Sequence, residues 1–158
     1  MGIEIRRDLE LGTYGFTEVF HGFDRVDAVK VIFGRKTKEV LSEIKVVLAS
    51  RRGYMHIDEQ TGDLHISRPY LKKADERYIY LDVIHELVHI KQFHEGKKLF
   101  DERYDYVDRP TEIEAYRATL KEARRIGYKG EELIEYLRVD WVSEVDFKRF
   151  LELLGVKT

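Results

Sequence analysis

The chain contains no cysteine, no asparagine, and only two prolines and two methionines among 158 residues. Without thiols there is no disulfide framework and no thiolate metal site, so any bound metal must be held through nitrogen and oxygen. Long apolar runs are missing too. No stretch approaches the roughly 18–20 residues of a membrane-spanning helix, and the opening MGIEIRRDLE carries no apolar signal core. Arg6 stands where a myristoylation signal needs Ser or Thr. No excess charge of either sign is present: 28 Lys plus Arg face 30 Asp plus Glu, which leaves no global field directed at nucleic acid or anionic membranes. The expectation is a soluble, cytoplasmic protein with neither nucleic acid nor membrane as partner. The scarcity of Asn, Cys, Gln and Met beside abundant Lys and Glu fits a hyperthermophile source.

The chain is 43% hydrophobic, enough for one compact core and for a single domain over residues 1–158. Ile3 and Ile5 alternate like a short strand, and Gly12, Gly15 and Gly22 punctuate the residues after it; residues 1–25 carry no legible chemistry. The run DAVKVIFG, residues 27–34, is rich in β-branched and aromatic side chains and reads as a strand. Thr37 can cap a helix in which Val40, Leu41, Ile44, Val47 and Leu48 recur on one face. Residues 54–67 alternate in two arms around Thr61-Gly62 and read as a β-hairpin. A long helix comes next, from about Lys73 to Glu95, with Gly96 as its C′ residue. After a polar stretch, Pro110 precedes Thr111, which can cap a second helix reaching about Ile126. Two shorter helical patterns run through Leu133, Ile134 and Leu137, and through Val145, Phe147, Phe150, Leu151 and Leu154. The order is a strand plus a helix in 1–50, hairpin and long helix in 53–95, a second helix in 110–126 and C-terminal helices in 130–158. That order predicts an α+β fold with a small antiparallel or mixed sheet.

The long helix carries the chemistry. His85, Glu86 and His89 fit H-E-x-x-H, in which two His four residues apart project from one face toward one metal ion. The Glu between them points beside the metal, where it can take a proton from metal-bound water. At about 100° per residue, Tyr78, Asp82, His85, His89 and Phe93 share one sector, with Glu86 at its edge. The remaining circumference is almost wholly apolar apart from Lys91, so the helix is expected to be buried. Buried His and Glu need partners, and a metal supplies one. His94 lies five residues past His89 and turns away from that face, reading instead as a cation at the negative end of the helix dipole. The longer H-E-x-x-H-x-x-G-x-x-H pattern is excluded, because Gln92 and Glu95 stand where it needs Gly and His. His56 and His65 on the hairpin are weaker candidates for substrate or supporting roles.

Two His plus one Glu is a common catalytic set for zinc. The downstream stretch PTEIEAYRATLKEARRIGY offers Glu112 and Glu114, about 200° apart on a helix, so only one can face the metal. Glu114 shares its side with Arg117, Lys121 and Arg125, a solvated face; Glu112 shares its side with Ala115, Tyr116, Thr119 and Leu120, which looks inward. Glu112 is therefore the expected ligand, with Ala115 letting the two helices approach.

The pair of motifs, His85-Glu86-Leu87-Val88-His89 and Glu112-Ile113-Glu114-Ala115, resembles the gluzincin clan of zinc metallopeptidases, and the small size is similar to the soluble minigluzincins. Those resemble the catalytic domains of integral-membrane peptidases that process prenylated proteins, with E-x-x-A-D or E-x-E-A-D on the glutamate helix. The resemblance covers about residues 53–128. It implies a zincin-like fold, Zn2+ as cofactor, Glu112 as ligand, and a hairpin edge strand along which a peptide or protein substrate can pair. The aspartate of the pattern falls on Tyr116, which leaves the supporting partner of the liganding histidines unassigned. The expected activity is peptide hydrolysis by zinc-bound water, with Glu86 as general base. Tyr104, Tyr106, Tyr116 and His94 are unranked candidates for oxyanion stabilisation. A second expectation is a latent or non-catalytic zinc protein, in which Trp141, Phe147, Phe150 and Leu154 lie across the cleft and Asp140, Glu144 and Asp146 approach the metal. The blander reading of that segment is a capping helix that completes the core.

Overall fold

The computed structural model describes residues 2–157. In chain order the elements are β1 Glu4–Ile5, β2 Gly12–Gly15, α1 Phe16–Val19, β3 Phe20–His21, α2 Asp27–Phe33, α3 Thr37–Glu43, β4 Lys45–Ala49, β5 Met55–Ile57, β6 Leu64–Ser67, α4 Arg68–Lys73, α5 Glu76–His94, α6 Pro110–Arg125, α7 Glu131–Leu137 and α8 Glu144–Leu153. The fold is α+β. A four-stranded mixed sheet has the order β2-β4-β6-β5, with β4 and β6 parallel and the other two pairs antiparallel, while β1 and β3 form a separate antiparallel pair.

Alternation along the central strands sets the core face of the sheet. Val46 and Leu48 on β4 pair with Leu64 and Ile66 on β6, and all four are buried. Against this core lies α5, buried over most of its length from Ile79 to Ile90. Phe16, Phe20 and Phe23 pack edge-on or tilted with centroids 5.0–5.8 Å apart, and Phe23 meets Tyr80 of α5. The N-terminal residues without legible chemistry thus supply an aromatic core.

Several boundaries depart from the sequence expectation. The run 27–34 is the helix α2, not a strand: its buried Val29 and half-buried Ile32 and Phe33 fall at three- and four-residue steps, and packing against α5 overrides the β-branched preference. The helix begun at Thr37 ends at Glu43 rather than continuing to Leu48. Ile44 is extended and β4 begins, because Val46 and Leu48 bury by alternation between two partner strands. The long helix starts at Glu76, capped by the Asp75 carboxylate, after the separate helix α4. Pro110, not Thr111, opens α6; Pro suits the first helical position because its missing N–H has no partner there anyway. The Thr111 hydroxyl instead donates to the Leu99 carbonyl at 2.7 Å.

The hairpin β5–β6 and the end of α5 form where expected. Gly62 has φ +79°, and a Cβ there would meet the Phe93 ring at 2.6 Å, so the hairpin turn seats directly on α5. Gly96 (φ +77°) closes α5 in a Schellman pattern, with Gly96 N–H donating to the Phe93 carbonyl and Lys97 N–H to the Gln92 carbonyl. Lys91, which helical spacing puts among apolar residues, lies half-exposed in the last turn and faces Glu95 at 3.9 Å.

Candidate metal centre

Two helices build the centre. α5 presents His85 and His89 one turn apart, and α6 packs close enough, across the buried Ala115, to bring Glu112 between them. Glu112 Oε1 lies 3.0 Å from His85 Nε2 and 2.7 Å from His89 Nε2, and the two Nε2 atoms are 3.2 Å apart. All three side chains are buried, and the cluster can hold a metal ion. Zinc–ligand bonds of about 2.0–2.1 Å in a tetrahedron place donor atoms about 3.3 Å apart. The observed separations are a few tenths of an ångström shorter, and the donors already converge on one point.

The hydrogen bonds around His89 fix its tautomer. The Gln92 amide nitrogen faces two acceptors, the Thr111 carbonyl at 3.0 Å and Glu114 Oε1 at 2.6 Å, so the amide oxygen must face His89 Nδ1 at 2.7 Å. His89 therefore donates from Nδ1, and its Nε2 is directed at Glu112. Glu114, half-exposed, is the outer anchor of this chain of hydrogen bonds and takes no place in the cluster. His85 is held differently. Its Nδ1 is buried without a hydrogen-bond partner, and Tyr116 lays its ring against the imidazole with centroids 4.2 Å apart. Where the sequence resemblance calls for a carboxylate stands Tyr116, whose ring packs on His85 and leaves Nδ1 without a partner.

Charge is set by burial and contact. Burial favours the neutral ring at both histidines and lowers His85, whereas at His89 the Glu112 carboxylate, with Glu86 and Gln92, overcomes burial and raises the group to about 9. Burial pushes the Glu112 carboxyl up, but the two imidazoles outweigh it and hold Glu112 below the usual carboxylate range. Glu86 is pushed well above that range, first by burial and then by the Glu112 charge, with His89 opposing.

The centre opens into a cavity of about 350 Å³ whose wall includes Glu86, Tyr106, Tyr116, Asp82 and Trp141. Tyr106, from a short 3₁₀ turn at Tyr106–Asp108, and Tyr116 pair through their hydroxyls at 2.5 Å. Burial raises both phenols, so they stay protonated. Of the other oxyanion candidates, Tyr104 and His94 are exposed and do not line this cavity. His56 lines it and stacks on its cross-strand neighbour His65 at 5.1 Å. In the C-terminal segment, Phe147, Phe150 and Leu154 are buried in the core, and only Trp141 of the four aromatic and apolar residues expected over the cleft faces the cavity. The acidic residues of that segment do not approach the centre: Glu144 pairs with Arg138 and Asp146 with Arg149, and Asp140 is not among the cavity residues.

Two features of the site are not anticipated from the sequence. Gln92 enters the motif pattern only as an exclusion of the longer form, although its position three residues after His89 on the same helix is a usable signal. Asp82 shares the His sector without an evident role, yet it stands in the same cavity with Tyr70 and Tyr136 bonded to it. No protein-family model, curated protein or solved structure matches the chain.

Among the described residues no helix is long and apolar enough to cross a membrane.

Proposed function

We propose that this protein is a zincin-like metallopeptidase of the gluzincin type, with zinc held by His85 Nε2, His89 Nε2 and Glu112. The observation that carries the reading is the convergence of three buried donor atoms beside a buried Glu86 that lines an open cavity. Bound zinc would supply Lewis acidity, polarising a scissile carbonyl and lowering the pKa of water toward about 7.

The chain's own residues do the rest. A Glu86 carboxylate oxygen takes a proton from the attacking water and returns it to the leaving amine; its upward shift makes it a stronger base than an ordinary glutamate. Gln92 fixes His89 so that Nε2 is available as a ligand. Within the Tyr106–Tyr116 pair one hydroxyl proton is used between the two oxygens. The second is free to be donated toward a developing oxyanion. β5 is one of the two outer strands of the sheet, and its Met55 and His56 border the cavity, so its free edge can take an extended peptide by strand addition.

Zinc-loaded protein is expected to cleave members of a peptide library, to lose that activity to a chelator and to regain it with zinc. Protein that takes up no zinc, or cleaves equally well without it, overturns the assignment. One observation supports a second reading, a covered site. Trp141 packs against Tyr54 at 6.5 Å and Tyr106 at 5.6 Å, so it links two other residues of the cavity lining. Under that reading Trp141→Ala raises cleavage of a fixed peptide; under the open-site reading it does not.

A further inference from the structure

Asp82 is not used in the chemistry above, yet it stands on the wall of the same cavity, one helical turn before His85 and Glu86. Its Oδ1 accepts from the Tyr136 hydroxyl at 2.6 Å and its Oδ2 from the Tyr70 hydroxyl. Tyr70 meets Tyr54 edge-on at 5.0 Å, and Tyr136 meets Tyr78 edge-on at 5.1 Å. All four rings line the cavity, so the carboxylate sits inside a box of tyrosines.

Both hydrogen-bond donors to Asp82 are neutral phenols, and no lysine, arginine or histidine is paired with it among the described residues. The arginine of the cavity wall, Arg138, is occupied elsewhere: it donates to Glu144 at 2.6 Å and lies over the Phe147 ring at 4.5 Å. Burial raises Asp82 to about 6 while the two phenols pull the other way, so the group is mainly ionised at neutral pH. A carboxylate without a counter-cation, walled by aromatic faces, suits an alkylammonium ion. The charge pairs with the carboxylate, the ring faces attract the cation, and the methylene stem packs on the rings.

We propose that Asp82 and its four tyrosines form a substrate subsite for a primary ammonium group, which makes the enzyme selective for peptides bearing a cation next to the cleaved bond. The position of that bond rests on the peptidase reading above. Three to four residues of helix rise about 4.5–6 Å, and an extended peptide advances about 3.3 Å per residue. The subsite therefore lies one to two residues from the reacting carbonyl, within reach of a lysine side chain or of a free peptide N-terminus.

Trp141 is the chain's single tryptophan and lines the cavity, so its fluorescence reports occupancy without turnover. Zinc-loaded Glu86→Gln protein is titrated with alanine peptides of two kinds: a blocked series carrying lysine or its neutral isostere norleucine, and a lysine-free pair with a free or an acetylated N-terminus. The ammonium-bearing member of at least one pair should bind about 10- to 100-fold tighter, and the pair that shows the preference identifies the source of the cation. Asp82→Asn, which keeps the shape of the side chain, should abolish the preference and leave zinc content unchanged; if that variant does not fold, the lysine–norleucine and free–acetylated comparisons on unaltered Asp82 still decide. Equal binding within both pairs, a preference that survives Asp82→Asn, or no binding of any peptide overturns the subsite. Preference without cleavage by the wild type sinks the peptidase reading and keeps the subsite; cleavage without preference does the reverse.

Discussion

Replacing Gln92 with leucine isolates the support of His89. Gln92 is fully buried and makes three contacts: its Oε1 accepts from His89 Nδ1, and its Nε2 donates to the Thr111 carbonyl and to Glu114. Leucine fills nearly the same volume, so the cavity left behind is small and the loss is one of hydrogen bonding. The His89 N–H and the Thr111 carbonyl are left buried without partners, at about 1–3 kcal/mol each. Glu114 is half-exposed, turns to water and adds little. Allowing for the apolar surface that leucine buries, the metal-free protein should lose about 2–4 kcal/mol of stability. A liganding histidine without its orienting partner typically holds metal 10–100-fold more weakly, so zinc affinity should fall by about that factor. Thermal melts with and without zinc measure the first effect, and competition with a chromophoric chelator measures the second. A Gln92→Leu protein that melts like the parent and binds zinc within about twofold of it would refute the claim that this side chain positions His89.

The same geometry sets four further outcomes. In metal-free protein His89 sits at about 9 instead of 6.5, because the Glu112 contact outweighs burial; a raised folded-state value is a stabilisation complete below pH 6.5 and lost as pH rises through 9, so the metal-free melting temperature should fall across that window. Zinc uptake near pH 7 should accordingly release about one proton, read by calorimetry in buffers of different ionisation enthalpy. Tyr106→Phe should keep zinc and lower turnover by about 10–100-fold if its hydroxyl pair supplies the oxyanion donor; unchanged turnover removes that role. Truncation after residue 138 strips Phe147, Phe150 and Leu151 from the core, each worth about 1.5–3 kcal/mol of burial. The shortened chain should lose cooperative melting without gaining activity, whereas a folded, more active fragment would favour the covered-site reading.

The parts of the molecule legible in its sequence are those fixed by local rules. The His85–His89 spacing, the choice of Glu112 over Glu114 as the inward residue, the hairpin turn at Gly62 and the stop at Gly96 each come from periodicity or from a conformation that glycine favours. The N-terminal third is harder to read because two periods overlap there. Val29, Ile32 and Phe33 combine β-branched or aromatic side chains with helical spacing, and only packing against α5 decides between them. Val46 to Leu48 satisfy a helical stripe and a strand alternation equally, and pairing with β2 and β6 resolves it. Within the site, the contact of Gln92 with His89 lies within one helix and is readable from spacing, whereas its bonds to Thr111 and Glu114, and those of Asp82 to Tyr70 and Tyr136, are not, because these partners come from other helices.

The central claim, that Glu86 acts as the base beside a metal held by His85, His89 and Glu112, is tested most directly by comparing wild-type and Glu86→Gln protein on one cleaved peptide at equal zinc content. The expected result is unchanged zinc binding and a loss of turnover of about 10²–10⁴-fold. A Glu86→Gln protein that retains zinc and cleaves at the parent rate contradicts the account.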